Sequence, residues 1–126
     1  MLDRTQKGKA AYLGGQNAED LVCAHYTQSG AKLTAKRWRC EFAEIDLILE
    51  DEACIYFVEV KFAKSHDVAI GRISRSQARR ILQAAQIYLD NNPDACLRTL
   101  RYDAALVDAC GRVRVVQDAL SDFVMI

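Results

Sequence analysis

Hydrophobic and polar positions alternate most sharply over two short stretches in the first half of the chain. Glu44-Ile-Asp-Leu-Ile-Leu49 and Ile55-Tyr-Phe-Val-Glu-Val-Lys61 flank the loop Glu50-Asp51-Glu52-Ala53, and together they read as a β-hairpin. Closure through that loop, or through a two-residue turn at Asp51-Glu52, sets Glu44 opposite Glu59 and Asp46 opposite Phe57. The two-residue side-chain period puts Ile45, Leu47 and Leu49 on one face, with Ile48, Ile55 and Phe57 on the other, and places Glu59 and Lys61 together. A strand that is apolar on both faces belongs in the middle of a sheet and is covered twice.

The rest of the pattern supplies the partners. Small and apolar residues recur near helical spacing at Ala11, Gly15, Ala18, Leu21, Val22 and Tyr26, which predicts a helix over about 10–29 with Gly30 at its C-cap. Residues 31–40 alternate loosely as a strand, and 64–71 are polar and irregular, a loop. From Ser74 or Ser76 as N-cap, a helix runs to about Asn91 on the stripe Ala78, Ile81, Leu82, Ala85, Tyr88 and Leu89, with Pro93 just beyond its end. Strands follow at 100–107 and 113–116. The order α-β-β-β-α-β-β defines one α/β domain over residues 1–126, a mixed central sheet flanked by helices.

Charges inside such a hairpin need an explanation. A carboxylate that loses water must be paired or bind a metal. Like charges directly opposed also repel, by up to about 1 kcal/mol on an exposed sheet and more when desolvated. A divalent cation between the opposed acids reverses that sign; Mg²⁺ (or Mn²⁺) held by Asp46 and Glu59 suits the site, since it takes only one or two carboxylates and keeps several waters and room for a phosphate. Glu44 stands as a further ligand or as the holder of a metal-bound water, and Lys61 as the charge that stabilises an anion forming beside the metal. The competing reading leaves the charges solvated at a sheet end, with Lys61 neutralising Glu59.

Composition adds limits. The chain has 126 residues, 51% hydrophobic and 27% charged, which suits a soluble globular domain. Zero formal net charge gives no bulk attraction to nucleic acid. Five scattered cysteines (Cys23, Cys40, Cys54, Cys96, Cys110) without a Cys-x-x-Cys pair fit free thiols in a reducing cytosol. No signal-peptide pattern and no membrane-length apolar run is present, so the expected location is cytoplasmic, with no membrane partner.

Asp46 followed by Glu59-Val-Lys61 resembles the signature of the PD-(D/E)XK nuclease superfamily, whose Asp and Glu-x-Lys sit on adjacent strands of an α-β-β-β-α-β core. More narrowly, the chain resembles the bacterial YraN family of endonuclease-like proteins. That resemblance rests on residues 44–48 and 57–61, the helix segment 84–89, and Arg101-Tyr-Asp103. It implies a restriction-endonuclease-like fold, nuclease activity and a Mg²⁺ (or Mn²⁺) cofactor. It also implies a role for Glu19, since the family has a glutamate on its first helix. Three positions depart from the family: Ala43 replaces a glycine, Ala63 an arginine and Gln77 a lysine. In the wider superfamily a glutamine or lysine on this helix often assists catalysis, so Gln77 stays a catalytic candidate beside Lys61 and Glu19. Without the resemblance, Glu19 reads as a solvated helix residue.

Lys61, Lys64, Arg72, Arg75, Arg79 and Arg80 lie within twenty positions, opposed only by Asp67. Arg72, Arg75, Arg79 and Arg80 form either a phosphate track toward the hairpin or a solvated helix face. Lys36-Arg-Trp-Arg39 reads as a strand with a packed Trp38 and snorkelling arginines, or as a single-strand-binding stretch. Ser65-His66-Asp67 is no catalytic triad, because triad members converge from separate segments. His25 reads as a packed residue, and Gly14-Gly15 completes no phosphate loop. Three functions follow: a Mg²⁺-dependent nuclease acting on DNA, including branched DNA; a non-catalytic nucleic-acid-binding module that keeps the acidic site; or a protein-interaction domain. A structure-selective nuclease often acts as a homodimer, but no sequence feature marks an interface.

Overall fold

The computed structural model describes residues 18–125, apart from the side chains of Cys96 and Met125. The start of the expected first helix, with Ala11, Gly14 and Gly15, lies outside the described residues. The elements are α1 (Ala18–Gln28), β1 (Lys32–Arg39), β2 (Glu44–Glu50), β3 (Cys54–Phe62), α2 (His66–Ile70), α3 (Arg75–Asn91), a 3₁₀ turn (Pro93–Leu97), β4 (Thr99–Val107), β5 (Val113–Val116) and α4 (Ala119–Met125). The five strands form one sheet in the order β1-β2-β3-β4-β5. All neighbours are antiparallel except β3 and β4, which run parallel through the α2–α3 crossover.

Two apolar layers hold this mixed sheet. On one face Ile48, Ile55, Phe57, Ala104 and Leu106 meet Ala78, Ile81, Ala84, Ala85, Tyr88 and Leu89 of α3 and Leu120 of α4. The alanines let α3 lie close to the strands, while burial of Ile81 and Leu89 contributes about 1.5–3 kcal/mol each. On the other face Ala18, Val22 and Tyr26 of α1 cover Leu47, Leu49, Val58, Ala105 and Val107. β2, β3 and β4 are therefore covered twice, as their two-sided apolarity requires. β1 is the exposed edge, and its Lys32, Lys36, Arg37 and Arg39 guard it against further pairing.

Five details differ from the sequence expectation. The loop at 64–71 contains α2, because the Ser65 hydroxyl accepts from the Val68 amide (3.2 Å) and caps one turn. A C-terminal helix, α4, follows β5. Ile45 packs in the layer of Ile48, not that of Leu47. Arg37 sits in the left-handed region (φ 49°) between the pairs Lys36↔Leu47 and Trp38↔Ile45, and alternation breaks there. The fifth concerns the hairpin. Its ladder runs from Leu47↔Val58 to Glu50↔Ile55, two residues away from the expected register. Asp51 causes the shift: its carboxylate accepts from the Ala53 and Cys54 amides (2.9 and 2.7 Å) and from the Tyr56 hydroxyl (2.6 Å), which makes Glu52-Ala53 the turn. Glu44 is therefore not opposite Glu59, nor Asp46 opposite Phe57; the same register carried on brings Asp46 to Glu59.

A fully buried carboxylate, Asp103 on β4, ties α1 to the sheet. It accepts from the Tyr26 hydroxyl (2.6 Å), from Arg101 (2.7 and 3.3 Å) and from the Asp118 amide (3.0 Å). Burial and the Asp103 charge push the Tyr26 phenol far above its ordinary range, so it stays a proton donor. Removing Asp103 would strand the Arg101 charge. In urea denaturation, Asp103→Ala should lose about 3–5 kcal/mol, the scale for breaking a buried pair. Asp20→Ala, which breaks an exposed pair with Lys36, should lose no more than about 1 kcal/mol. Equal losses would remove Asp103 from its anchoring role.

Candidate functional site

The acidic site forms where β2 parts from β3. Beyond the Leu47↔Val58 pair, the Val60 amide donates to Asp46 Oδ2 (2.8 Å), so a side chain takes over from the ladder. Glu59, on the strand face that meets α3, is buried. Its carboxyl contacts Lys61 Nζ (3.2 Å) and Gln77 Nε2 (3.1 Å), and it shares a hydrogen bond with Asp46. Gln77 reaches it because Ser74 caps α3: the Ser74 hydroxyl accepts from the Gln77 amide (3.0 Å), fixing the first turn over the end of β3.

Desolvation raises the Glu59 pKa to about 8, the Asp46 charge adds to the rise, and Lys61 offsets only part of it. Asp46 is also raised, first by burial and further by the nearby Glu19 charge, against the pull of the Val60 amide. Near neutral pH Glu59 therefore keeps its proton, hydrogen-bonded to Asp46. A carboxyl perturbed by burial together with a specific charged partner, in a cavity, is a candidate for function.

The remaining candidates fall in different places. Glu19, at the start of α1, is within electrostatic range of Asp46, and its carboxylate pairs with Arg37 (3.4 Å). Glu44 lines the same cavity but pairs with Arg39 (3.0 Å). Among the described residues no three His, Cys, Asp or Glu side chains converge as a ligand cage. The acid pair fits a metal that takes one or two carboxylates and fills its other positions with water and phosphate, as Mg²⁺ does. Arg75, Arg79 and Arg80 are exposed along α3, whereas Arg72 donates to the Phe62 carbonyl (3.1 Å). Trp38 is packed edge-on against Tyr88, with ring centroids 5.5 Å apart. Cys23, Cys40, Cys54 and Cys110 are free thiols.

The cavity over the acid pair holds about 350 Å³ and is lined by Phe42, Ala43, Glu44, Asp46, Glu59, Gln77, Arg80 and Ile81. Sequence reasoning did not single out Phe42, and no periodicity could have marked it, since it lies in the turn between β1 and β2. The Asp103 anchor was also missed. Its signal was present: a carboxylate in a strand apolar on both faces is the argument already made for the hairpin.

Fold and site together define a mixed α/β domain with a buried Glu59, a half-buried Asp46, a lysine and a glutamine at the end of its central strands. The chain belongs to the uncharacterised protein family UPF0102, whose model matches residues 18–107 and so includes every element of the site. It is similar to a UPF0102 protein of Cereibacter sphaeroides, 44% identical over 114 residues that cover 90% of this chain and 97% of the relative. A UPF0102 protein of Roseobacter denitrificans is 40% identical over 119 residues, 94% of this chain and 92% of the relative. One of Dinoroseobacter shibae is 38% identical over 113 residues, 90% and 84%. The likeness to YraN proteins thus holds at the level of the family. Among the described residues, no helix is long and apolar enough to cross a membrane.

The acid pair should be visible in stability. Glu59 binds a proton more tightly folded than unfolded, so its contribution is complete below about pH 4.5 and is lost as pH rises toward 8. Urea denaturation of the metal-free protein should show stability falling across that window, by up to about 1.4 kcal/mol per pH unit. Glu59→Gln, which cannot ionise, should flatten the slope. An unchanged slope in the variant would place the proton elsewhere.

Proposed function

We propose that this chain is a Mg²⁺-dependent (or Mn²⁺-dependent) nuclease of the PD-(D/E)XK class, with a restriction-endonuclease-like core, that hydrolyses phosphodiester bonds in DNA, including branched DNA. The observation that carries the reading is Glu59, a buried carboxyl held at once by Lys61, Gln77 and Asp46. A purely structural ion pair has no use for the second acid, whose charge raises the pKa of the first.

Asp46 and Glu59 would hold the metal, with Glu44 or Glu19 behind them through water. Once bound, the cation would polarise the phosphodiester and lower the pKa of a water. Gln77 keeps Glu59 oriented from the first turn of α3. Lys61 brings a positive charge to the rim of the same carboxyl, where phosphate oxygens gain negative charge as the bond breaks. Arg75, Arg79 and Arg80, with Arg72 before them, lead the DNA backbone along α3 to the cavity, and Arg80 lines it. The pairing of Glu44 with Arg39 and the lack of a third converging acid among the described residues favour a second reading, a nucleic-acid-binding module that keeps the site without turnover.

Two sets of measurements decide. In the first, Mn²⁺ calorimetry should show binding by the wild type and little by Asp46→Ala. Cleavage of duplex, single-stranded, flap and four-way-junction DNA with Mg²⁺ or Mn²⁺ should fall by about 10²–10³ in Lys61→Ala, while metal and DNA affinity stay within a few-fold. Metal binding without cleavage of any substrate would leave the binding-module reading standing; equal cleavage by Lys61→Ala would make Lys61 a mere counter-ion.

In the second, replacing Arg75, Arg79 and Arg80 together with Ala should weaken DNA binding. The slope of log K against log[salt] should become shallower by up to about 0.9 per lost phosphate contact. An unchanged slope would return these arginines to a solvated face.

A further inference from the structure

Among the described residues, Phe42 is the one aromatic that lines the acidic cavity, and it is also exposed to solvent. We propose that Phe42 sets substrate preference by stacking on an unpaired base beside the scissile phosphate, so that the site takes single-stranded or flapped DNA ahead of continuous duplex. This rests on the nucleic-acid reading above and narrows it to a substrate class.

Phe42 is held in a tight turn between β1 and β2, where the Cys40 amide donates to the Ala43 carbonyl (3.1 Å). Its side chain is not in the core: the residue is 44% exposed although it is large and apolar. Leu21 and Leu33 are exposed to a similar degree, but neither lines the acidic cavity, whereas Phe42 shares that lining with Asp46, Glu59, Gln77 and Arg80. The cavity, about 350 Å³, lies at the low end of the range for pockets that take one small ligand. It admits one nucleotide unit. A base inside a duplex would have to leave its stack to enter, whereas an unpaired base meets no such cost. The phenyl offers that base a π-face, and Arg80, on α3, offers a guanidinium to the adjoining phosphate. Trp38, the aromatic that the basic stretch of β1 had suggested for this role, is taken up by Tyr88. Every base has a π-face, so the preference is for strand structure and not for sequence.

The test is fluorescence anisotropy with a labelled oligodeoxythymidylate, the matching duplex, and the same duplex carrying a single-stranded flap, with Ca²⁺ in place of Mg²⁺. Phe42→Ala should weaken single-strand and flap binding by about 5- to 100-fold, the range for losing one base–aromatic stack. Duplex binding should stay within about two-fold. Phe42→Trp should restore single-strand affinity, and because the ring is exposed both variants should melt close to the wild type. Equal weakening on all three DNAs, no weakening on any, failure of Phe42→Trp to restore binding, or a wild type that binds none of them overturns the proposal. Cleavage is read separately. Phe42-dependent single-strand binding without cleavage would sink the nuclease reading alone. Cleavage of duplex and single strand alike, unaffected by Phe42→Ala, would sink this proposal alone.

Discussion

The register of the β2–β3 hairpin is the constraint on which the acidic site depends, and hydrophobicity does not choose it. A slip of two residues leaves every side chain on the face it already occupies, so the apolar layers are served equally by the expected register and the observed one. What differs is which acid meets Glu59. The choice is made about 15 Å away, at roughly 3.3 Å per residue along the strand, by the side chain of Asp51. Two backbone amides and the Tyr56 hydroxyl converge on that carboxylate and hold its pKa below the usual range. With Glu52-Ala53 as the turn, Asp46 falls beside Glu59 and Glu44 is left to Arg39 at the strand end. A turn residue thus determines the composition of a site it never touches.

Two buried carboxylates in adjacent parallel strands show what separates structural from functional burial. Asp103 is completely enclosed, yet it receives a phenol, a guanidinium and a backbone amide, so every donor around it is paired with its oxygens. Glu59 sits one register step from it along the β3–β4 ladder, where Val58 pairs with Asp103. Its own set is mixed: Lys61 and Gln77 favour the charge, while burial and Asp46 oppose it more strongly. No buried side-chain nitrogen or oxygen among the described residues lacks a partner, so the difference is not one of unmet hydrogen bonds. It is one of sign. The Asp103 cluster is neutralised by the protein itself, whereas Lys61 matches only one charge of the Asp46–Glu59 pair and the other is left to a proton or a cation.

Much of the architecture was legible because two periods do not overlap. The α3 stripe and the two-sided apolar hairpin identify a helix and central strands, and β5 falls on the expected residues, since each segment needs only its own pattern. Asp46, Glu59 and Lys61 were legible as a group as well, from the Asp…Glu-x-Lys spacing in strands where charge is costly, although the expected register set Glu44 and not Asp46 against Glu59. The pairing register was not. It depends on which of several acidic residues forms the turn, and residues 50–52 are all acidic. Likewise α2 hung on a single serine cap, and the break in alternation at β1 on a left-handed arginine, neither of which has a periodic signature. Phe42 was invisible for a related reason: in a turn, exposure depends on where the chain is carried in space.

Zero net charge, finally, is weaker evidence against a nucleic-acid partner than it looks, because of where the compensation occurs. Lys36, Arg37, Arg39, Arg98, Arg101 and Arg112 each lie against a carboxylate, so much of the acidic complement is already matched on the sheet and its edges. Among the described residues Arg75, Arg79 and Arg80 have no such partner, and they share the first half of one helix. At physiological salt, fields fade over about 8 Å, so a phosphate near α3 responds to that helix and hardly at all to the chain total. The acid pair lies at the end of the same basic stretch, with Arg80 in its cavity wall. With one proton shared, the two carboxyls carry a single negative charge that Lys61 offsets, so the cavity without metal is close to balanced. Under the proposed function a divalent cation displacing that proton would leave the cavity positive, so a phosphate drawn to α3 would enter it more readily with the metal than without it.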